Sequence, residues 1–331
     1  MQVVARYTMT WDGALPVSVI QLRAFAWALC SAEQHLPNVF SKLSFLIHTN
    51  NASHSAVAAR LRKVPGSSER RLLNVDLAAQ PALAAFARFR SWLSPAGDTP
   101  NVRSPRYFGS LRVDDFASVR RLLVDVSQAE AGKAYLCLGA DVVFLRPPAT
   151  LAAEVAKNPT VAYYMVAKHG QNDSGYALSS HMGPSCPALS GDFFFVPAGA
   201  IPATLADGHG GLAEAETLLR GFATACGSTE PEQWLGPTTF CDTPERFHAI
   251  DQFVWSMLLG RWARGGCRGL DSQRFAGDCL DEPRQDIIEA AHGRIASCAL
   301  FDKLQQLPAP TASDAACRAL GIGPPKNETK T

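Results

Sequence analysis

Apolar and polar positions follow two alternating periods along the first half of this chain. VVARYTMT (3–10), LSFLIHTN (43–50) and RRLLNVDL (70–77) are short apolar runs with β-branched residues, and they read as strands. Between them, residues 17–34 and a segment from Ser53 through Arg62 carry helical spacing, with Ser53 placed to cap the second. WDGALP (11–16) reads as a turn. A helix over 81–92 collects Ala and Phe on one face, and the Pro, Gly, Ser and Arg of 93–112 predict a loop. Asp114 opens a further helix through Gln128.

The second half opens on AYLCLGADVVFLRPP (134–148), the most informative stretch. Its first apolar run, 134–138, reads as a strand buried on both faces, followed by the small step Gly139-Ala140-Asp141 and a Pro pair. A helix over 149–157 and a strand over 160–168 come next. Residues 169–188 form a polar loop of a length that is usually functional, and GDFFFVPAG (191–199) is a strong strand. A helix-rich region leads to a helix over 244–262, and the tail from 308 reads as a short helix and a flexible end. Strands alternating with helices imply an α/β fold, a mostly parallel central sheet flanked by helices. In such sheets ligands bind outside the carboxyl ends of the strands, which is where Asp141 falls. A carboxylate there is placed to hold a divalent metal, and a metal there would hold a diphosphate.

Composition narrows the function classes. Of 331 residues, 47% are hydrophobic and 18% charged, enough for a sizeable core. Thirty-one basic against 30 acidic residues give a net charge of +1, which offers no field for nucleic acid or an anionic membrane, so any anion site is local. No run reaches the ~18–20 apolar residues of a membrane span. The chain therefore reads as soluble, cytoplasmic as it stands, or lumenal in the Golgi if an N-terminal anchor has been left off. Nine scattered cysteines contain no C-x-x-C pair, so a zinc site is not expected; Cys137 reads as a buried hydrophobe, and Cys241, Cys267 and Cys279 are open to a disulfide among themselves. Asn51, Asn172 and Asn327 begin N-x-S/T sequons.

Six short pieces then occur in one order over residues 3–303: Arg120-Arg121 about twenty positions before Asp141; Gly139-Ala140-Asp141; Leu189-Ser190-Gly191 ahead of DFFFV; Asp251-Gln252 in HAIDQFVW; GLDSQRF (269–275); and His292-Gly293. In this order they resemble the GT-A nucleotide-diphospho-sugar transferase superfamily. The likeness is greatest to the retaining branch related to glycogenin and bacterial galactosyltransferases, and to plant and algal arabinosyl- or xylosyltransferase-like proteins. The resemblance implies one GT-A domain over 1–307, with a nucleotide-binding half (1–145) and an acceptor-binding half (146–307), and a tail over 308–331. It implies transfer of a sugar from a nucleotide-diphosphate donor, UDP-sugar first, to a glycan or glycoprotein acceptor, with retention and with Mn²⁺ or Mg²⁺. Two positions depart from the pattern. Gly139 stands where the family has the first Asp of D-x-D, and Leu189 where it has the Asn of N-S-G. The loss at 139 keeps a second reading open, a non-catalytic relative that binds a glycan or a protein. A nucleotidyltransferase would need a glycine-rich phosphate loop after the first strand, which TMTWDGALP lacks.

The resemblance assigns Asp141 and His292 to the metal. It gives Tyr7, Thr8, Thr10, Arg120, Arg121, Gly139, Ala140, Ser190 and Gly191 to the donor, and Asp251 and Gln252 to the neighbourhood of the anomeric carbon. Asp192 comes directly after the S-G step and is a candidate to supply the polar group Leu189 lacks. Each has a plainer alternative. Asp141 could be the N-cap of a helix. His292 could be an ordinary surface or core histidine, the two arginines a solvated face, and Tyr7 a core ring. Adjacent helical residues point apart, so at most one of the arginines faces the site. Asp251 lies on a helix with apolar neighbours and needs a partner whatever its role.

Overall fold

The computed structural model describes residues 1–11, 19–62, 64, 69–75, 80–93, 117–130, 132–166, 184–187, 189–202, 210–227, 250–276 and 289–292. In chain order the elements are β1 (Val3–Met9), α1 (Val19–His35), β2 (Leu43–Thr49), α2 (His54–Leu61), β3 (Glu69–Asn74), α3 (Gln80–Leu93), α4 (Ala117–Ser127), β4 (Ala134–Leu138) and β5 (Val142–Phe144). Then come α5 (Ala149–Lys157), β6 (Ala162–Val166), β7 (Leu189–Val196), α6 (Gly210–Gly227), α7 (Ile250–Trp262), β8 (Cys267–Gly269), β9 (Phe275–Ala276) and β10 (Ala290–His292). The turn at 12–16, the loop at 94–112, Asp114, most of the loop at 169–188, the start of the 244–262 helix and the tail at 308–331 lie outside the described residues.

The main sheet runs β3-β2-β1-β4-β7-β6-β8. β1, β2, β3 and β4 are mutually parallel, β7 pairs antiparallel with both β4 and β6, and β8 pairs parallel with β6. The chain steps outward from β1 to β3 and then returns to lay β4 on the other side of β1. That reversal is the topological switch point at which open α/β sheets form a crevice. It sits between Met9 and Leu138. β5, β10 and β9 form a second, three-stranded sheet.

Both faces of the main sheet are covered, which explains the near-continuous apolar strands. Phe193, Phe194 and Phe195 are all fully buried, and the period of two sends Phe194 to one core and its neighbours to the other. Phe194 packs on Trp255 of α7, with ring centroids 4.8 Å apart. Tyr7 faces the opposite core, edge-on to Phe25 at 5.4 Å.

The structure departs from the expected elements at several points. β7 begins at Leu189, so the Leu-Ser-Gly step lies inside the strand, held by the pairing of Leu189 with Val166. It ends at Val196, and the chain turns at Gly199 with φ 74°. GLDSQRF spans the end of β8 at Gly269, a turn, and the start of β9 at Phe275. Ser53 stands at the N-cap of α2 but makes no capping bond. Its buried hydroxyl instead bonds Met9 O at 2.5 Å and Asn50 Oδ1 at 2.9 Å, and Asn50 bonds Trp11 through both its amide nitrogen and its oxygen. The hydroxyl therefore fastens the ends of β1 and β2 to each other.

Cys267 pairs with Cys186, across 81 residues of sequence. The 184–187 segment is thereby stapled to β8, and Ser256 of α7 bonds the backbone of Cys186 in both directions. Cys137 is a free, buried thiol whose pKa burial pushes up to about 12. A disulfide closing so long a loop is worth about 4 kcal/mol in the chain-entropy account. Reduction, or Cys186→Ala with Cys267→Ala, is expected to lower the unfolding free energy by roughly 2–5 kcal/mol in urea titrations. An unchanged midpoint would show that the loop is held by its packing alone.

Candidate active site

Position 139 is where the carboxyl end of β4 meets β7. Gly139 N donates to Asp192 O at 2.6 Å. A Cβ at residue 139 would sit 2.8 Å from Asp192 Oδ1, 3.0 Å from Asp192 Cβ and 3.2 Å from Asp141 Oδ1. The glycine is therefore a steric requirement, and the volume it gives up is filled by the carboxylate of Asp192. Gly191 has the same logic. A Cβ there would meet Asp251 Oδ2 at 2.7 Å and Gln252 Cγ at 3.0 Å. The S-G step and the D-Q pair, far apart in the chain, thus lie against each other because Gly191 carries no side chain.

Asp141 is buried in the turn between β4 and β5. It caps no helix, since β5 begins at the next residue and α5 only at Ala149. Ala140 beside it is half-buried, and Ser190 is buried with its hydroxyl oxygen 3.4 Å from the backbone N–H of Asp192. β10 runs antiparallel to β5, so His292 lies opposite Val142, the residue after Asp141.

Arg121 of α4 ties the carboxylates together. It donates to Asp192 Oδ1 at 3.0 Å and to Gly191 O, and lies 3.9 Å from Asp251 Oδ2. Burial works against its charge, but the carboxylates of Asp192, Asp251 and Asp125 outweigh that and hold its pKa above the ordinary value. Asp251 is buried on α7 beside the Arg121 guanidinium. Burial nevertheless raises its pKa to about 6, with Arg121 pulling the other way and Asp192 adding to the rise. Its Oδ1 is buried without a hydrogen-bond partner of good geometry.

The other expected donor contacts are engaged within the protein. Arg120 turns away from Asp192. It donates to Thr10 Oγ1 at 3.0 Å and Thr10 O at 2.9 Å, and its guanidinium lies 5.5 Å from the Phe86 ring. Thr8 donates to Asp125 Oδ1 at 2.5 Å. Tyr7 is fully buried in the core, and its ring has no face free for a base.

A buried network behind the strand ends was not expected. Arg6 sits inside β1, stacked 3.7 Å over the Tyr135 ring, donating to Asp125 O and lying 3.9 Å from Asp125 Oδ1. His48 Nδ1 is 3.8 Å from the same carboxylate. Burial opposes the charge of Asp125, yet His48, Arg6 and Thr8 hold its pKa below the usual carboxylate range. Burial keeps His48 below its own ordinary value. The signal was present as a charged residue in an apolar strand, which obliges a buried partner.

The donor set suits a hard divalent cation such as Mg²⁺ or Mn²⁺. Two carboxylates, Asp141 and Asp192, converge on the side-chain space of residue 139. Among the described residues no three His, Cys, Asp or Glu side chains form a ligand cluster. Such cations are commonly held by one or two carboxylates, with water and substrate phosphates completing the shell.

No protein-family model matches the chain, and no curated protein matches it by sequence. Solved structures do match. The galactosyltransferase LgtC, in complex with donor and acceptor sugar analogs, aligns over 99% of this chain and 98% of its own, with TM-score 0.50 and 13% identity. The apo form of mouse xyloside xylosyltransferase 1 aligns over 93% and 99%, with TM-score 0.48 and 12% identity. Core-mannan synthase A from Aspergillus fumigatus, in its Mn/GDP form, aligns over 82% and 73%, with TM-score 0.39 and 8% identity. The match to LgtC, together with the strand order, shows a GT-A fold, as the ordered motifs implied. Among the described residues no helix is long and apolar enough to cross a membrane.

Proposed function

We propose that this chain is a glycosyltransferase that moves a sugar from a nucleotide-diphosphate donor, UDP-sugar first, to a glycan or glycoprotein acceptor with retention of configuration. The observation that carries this reading is the convergence of Asp141, Asp192, Asp251 and Arg121 where the carboxyl end of β4 meets β7. In the reaction the bond from the anomeric carbon to the diphosphate breaks, and the acceptor oxygen bonds to that carbon on the same face. The acceptor proton passes to the departing diphosphate. A bound Mn²⁺ or Mg²⁺ would be held by Asp141, with His292 beside it, and would neutralise the charge growing on the diphosphate. Gln252 and Asp251 would lie beside the anomeric carbon, with Arg121 fixing the carboxylate. The donor occupies the 1–145 half and the acceptor the 146–307 half.

The test is thermal unfolding with UDP, with and without Mn²⁺. Ligand at a hundredfold excess over Kd is expected to stabilise by about 2.7 kcal/mol, roughly 4 °C in Tm for a chain of this size. Asp141→Ala is expected to remove the Mn²⁺-dependent part of that shift and to cut donor turnover at least ~100-fold. Gly139 supports one other reading, a non-catalytic sugar- or protein-binding relative. Binding without turnover, unaffected by Asp141→Ala, would favour it. The Cys186–Cys267 bridge supports an oxidising compartment such as the Golgi lumen over the cytosol.

A further inference from the structure

We infer that Asp192 replaces the acid missing at position 139, so that this protein builds its divalent-cation site from two strands, β4 and β7, in place of one contiguous D-x-D. The inference rests on the metal-dependent reading above and concerns where its second carboxylate comes from. The crowding at residue 139 carries it. The point where a Cβ would stand is 2.8 Å from Asp192 Oδ1 and 3.2 Å from Asp141 Oδ1. An acid reaching in from β7 therefore occupies the space that an acid at 139 would have claimed, on the same side of the turn as Asp141. The two arrangements exclude each other, because an aspartate at 139 would begin with its Cβ 3.0 Å from Asp192 Cβ. A glycine at 139 and an aspartate at 192 form one matched pair.

Asp192 is also suited to the task by its surroundings. Its backbone is pinned by the 2.6 Å bond from Gly139 N, and Arg121 holds Oδ1 at 3.0 Å. A carboxylate has about four acceptor positions, so accepting from a guanidinium does not by itself fill it. The side chain is 26% exposed, against 4% for Asp251, so of the two carboxylates on Arg121 it is the one open to a ligand. Arg121 then acts as a positioning residue. It orients the β7 acid much as outer-shell partners orient metal ligands elsewhere.

The experiment is Mn²⁺ uptake measured by electron paramagnetic resonance, in the presence of UDP. The proteins are the unaltered chain, Asp192→Asn, Gly139→Asp, and Gly139→Asp combined with Asp192→Gly. Asp192→Asn keeps an acceptor for Arg121 and is expected to fold, yet to weaken Mn²⁺ binding about tenfold or more. Gly139→Asp alone is expected to lower Tm through the clash with Asp192. The double variant, which returns the acid to β4, is expected to recover Mn²⁺ affinity to within about threefold of the unaltered chain. A role limited to balancing Arg121 would not produce that rescue. Equal Mn²⁺ affinity in the unaltered chain and Asp192→Asn would overturn the inference while leaving the metal-dependent transferase reading intact. UDP binding without any Mn²⁺ uptake by the unaltered chain would remove both.

Discussion

Arg121→Ala is expected to destabilise the protein by about 3–5 kcal/mol, the cost of stranding a buried charge after its partner is removed. The guanidinium meets Asp192 Oδ1, Gly191 O and, more distantly, Asp251 Oδ2, while only 16% of its side chain is exposed. Removing it leaves Asp251 in the core with Asp192 as its charged neighbour. Burial and that repulsion, the forces that already raise the Asp251 pKa, then lose their largest counterweight. The deficit should shrink on acidification, because protonating Asp251 relieves it. It should shrink again when Asp251→Asn is added, giving a coupling of about 1 kcal/mol or more in the double-mutant cycle. Arg121→Lys retains a cation without the planar fork and should recover only part of the loss. Additive Arg121 and Asp251 effects in urea unfolding would show that the 3.9 Å pair carries no energy.

Asp251→Asn is expected to separate stability from function. The Asp251 pKa is raised to about 6, so the folded protein binds this proton more tightly than the unfolded chain does. The stability contributed by that proton is complete below the unfolded value near 4 and is lost as pH rises through 6. At pH 7 and above the buried carboxylate therefore costs the fold roughly 3 kcal/mol. An asparagine of the same shape never ionises. The stability of Asp251→Asn relative to the unaltered chain should accordingly rise by roughly 1–2 kcal/mol between pH 5 and pH 8, most steeply at the acid end of that range and levelling off above about pH 7. Transfer should fall at least ~100-fold over the same range, if the charge lies beside the anomeric carbon as proposed. A core position that gains stability while losing turnover marks a group kept for chemistry. Parallel pH–stability curves for the two proteins would refute the raised pKa.

How much of this is legible in the amino-acid sequence depends on the range of each signal. The strands at 3–9, 43–49, 69–74 and 134–138 and the helices between them are written in local periods of two and 3.6, which any compact environment respects. Asp141 at the end of β4 is a consequence of strand polarity, and the order of the short motifs is a property of the chain itself. The Phe193–Phe195 triplet announced a strong strand, and the structure buries it on both faces. It did not disclose that β7 runs against its neighbours, because an apolar run reads the same in either direction.

Pairing across long separations was the work of the tertiary structure. Both arginines of α4 were candidates in sequence, with Arg121 at the slightly better family gap, and their adjacent positions on the helix send Arg120 to Thr10 and Arg121 to Asp192. Cys267 had several sequence-plausible fates and took Cys186. His292 reached Val142 only because a second sheet formed. Gly139 looked like a loss when read along the strand, and only packing revealed Asp192 in its place. By itself, then, the sequence determined the kinds and order of the elements and the strand end at which chemistry gathers. Folding decided which charges face each other, because the hydrophobic pattern that directs each segment is local and almost indifferent to partner, whereas a buried charge is specified by the few atoms that come to lie within about 4 Å of it.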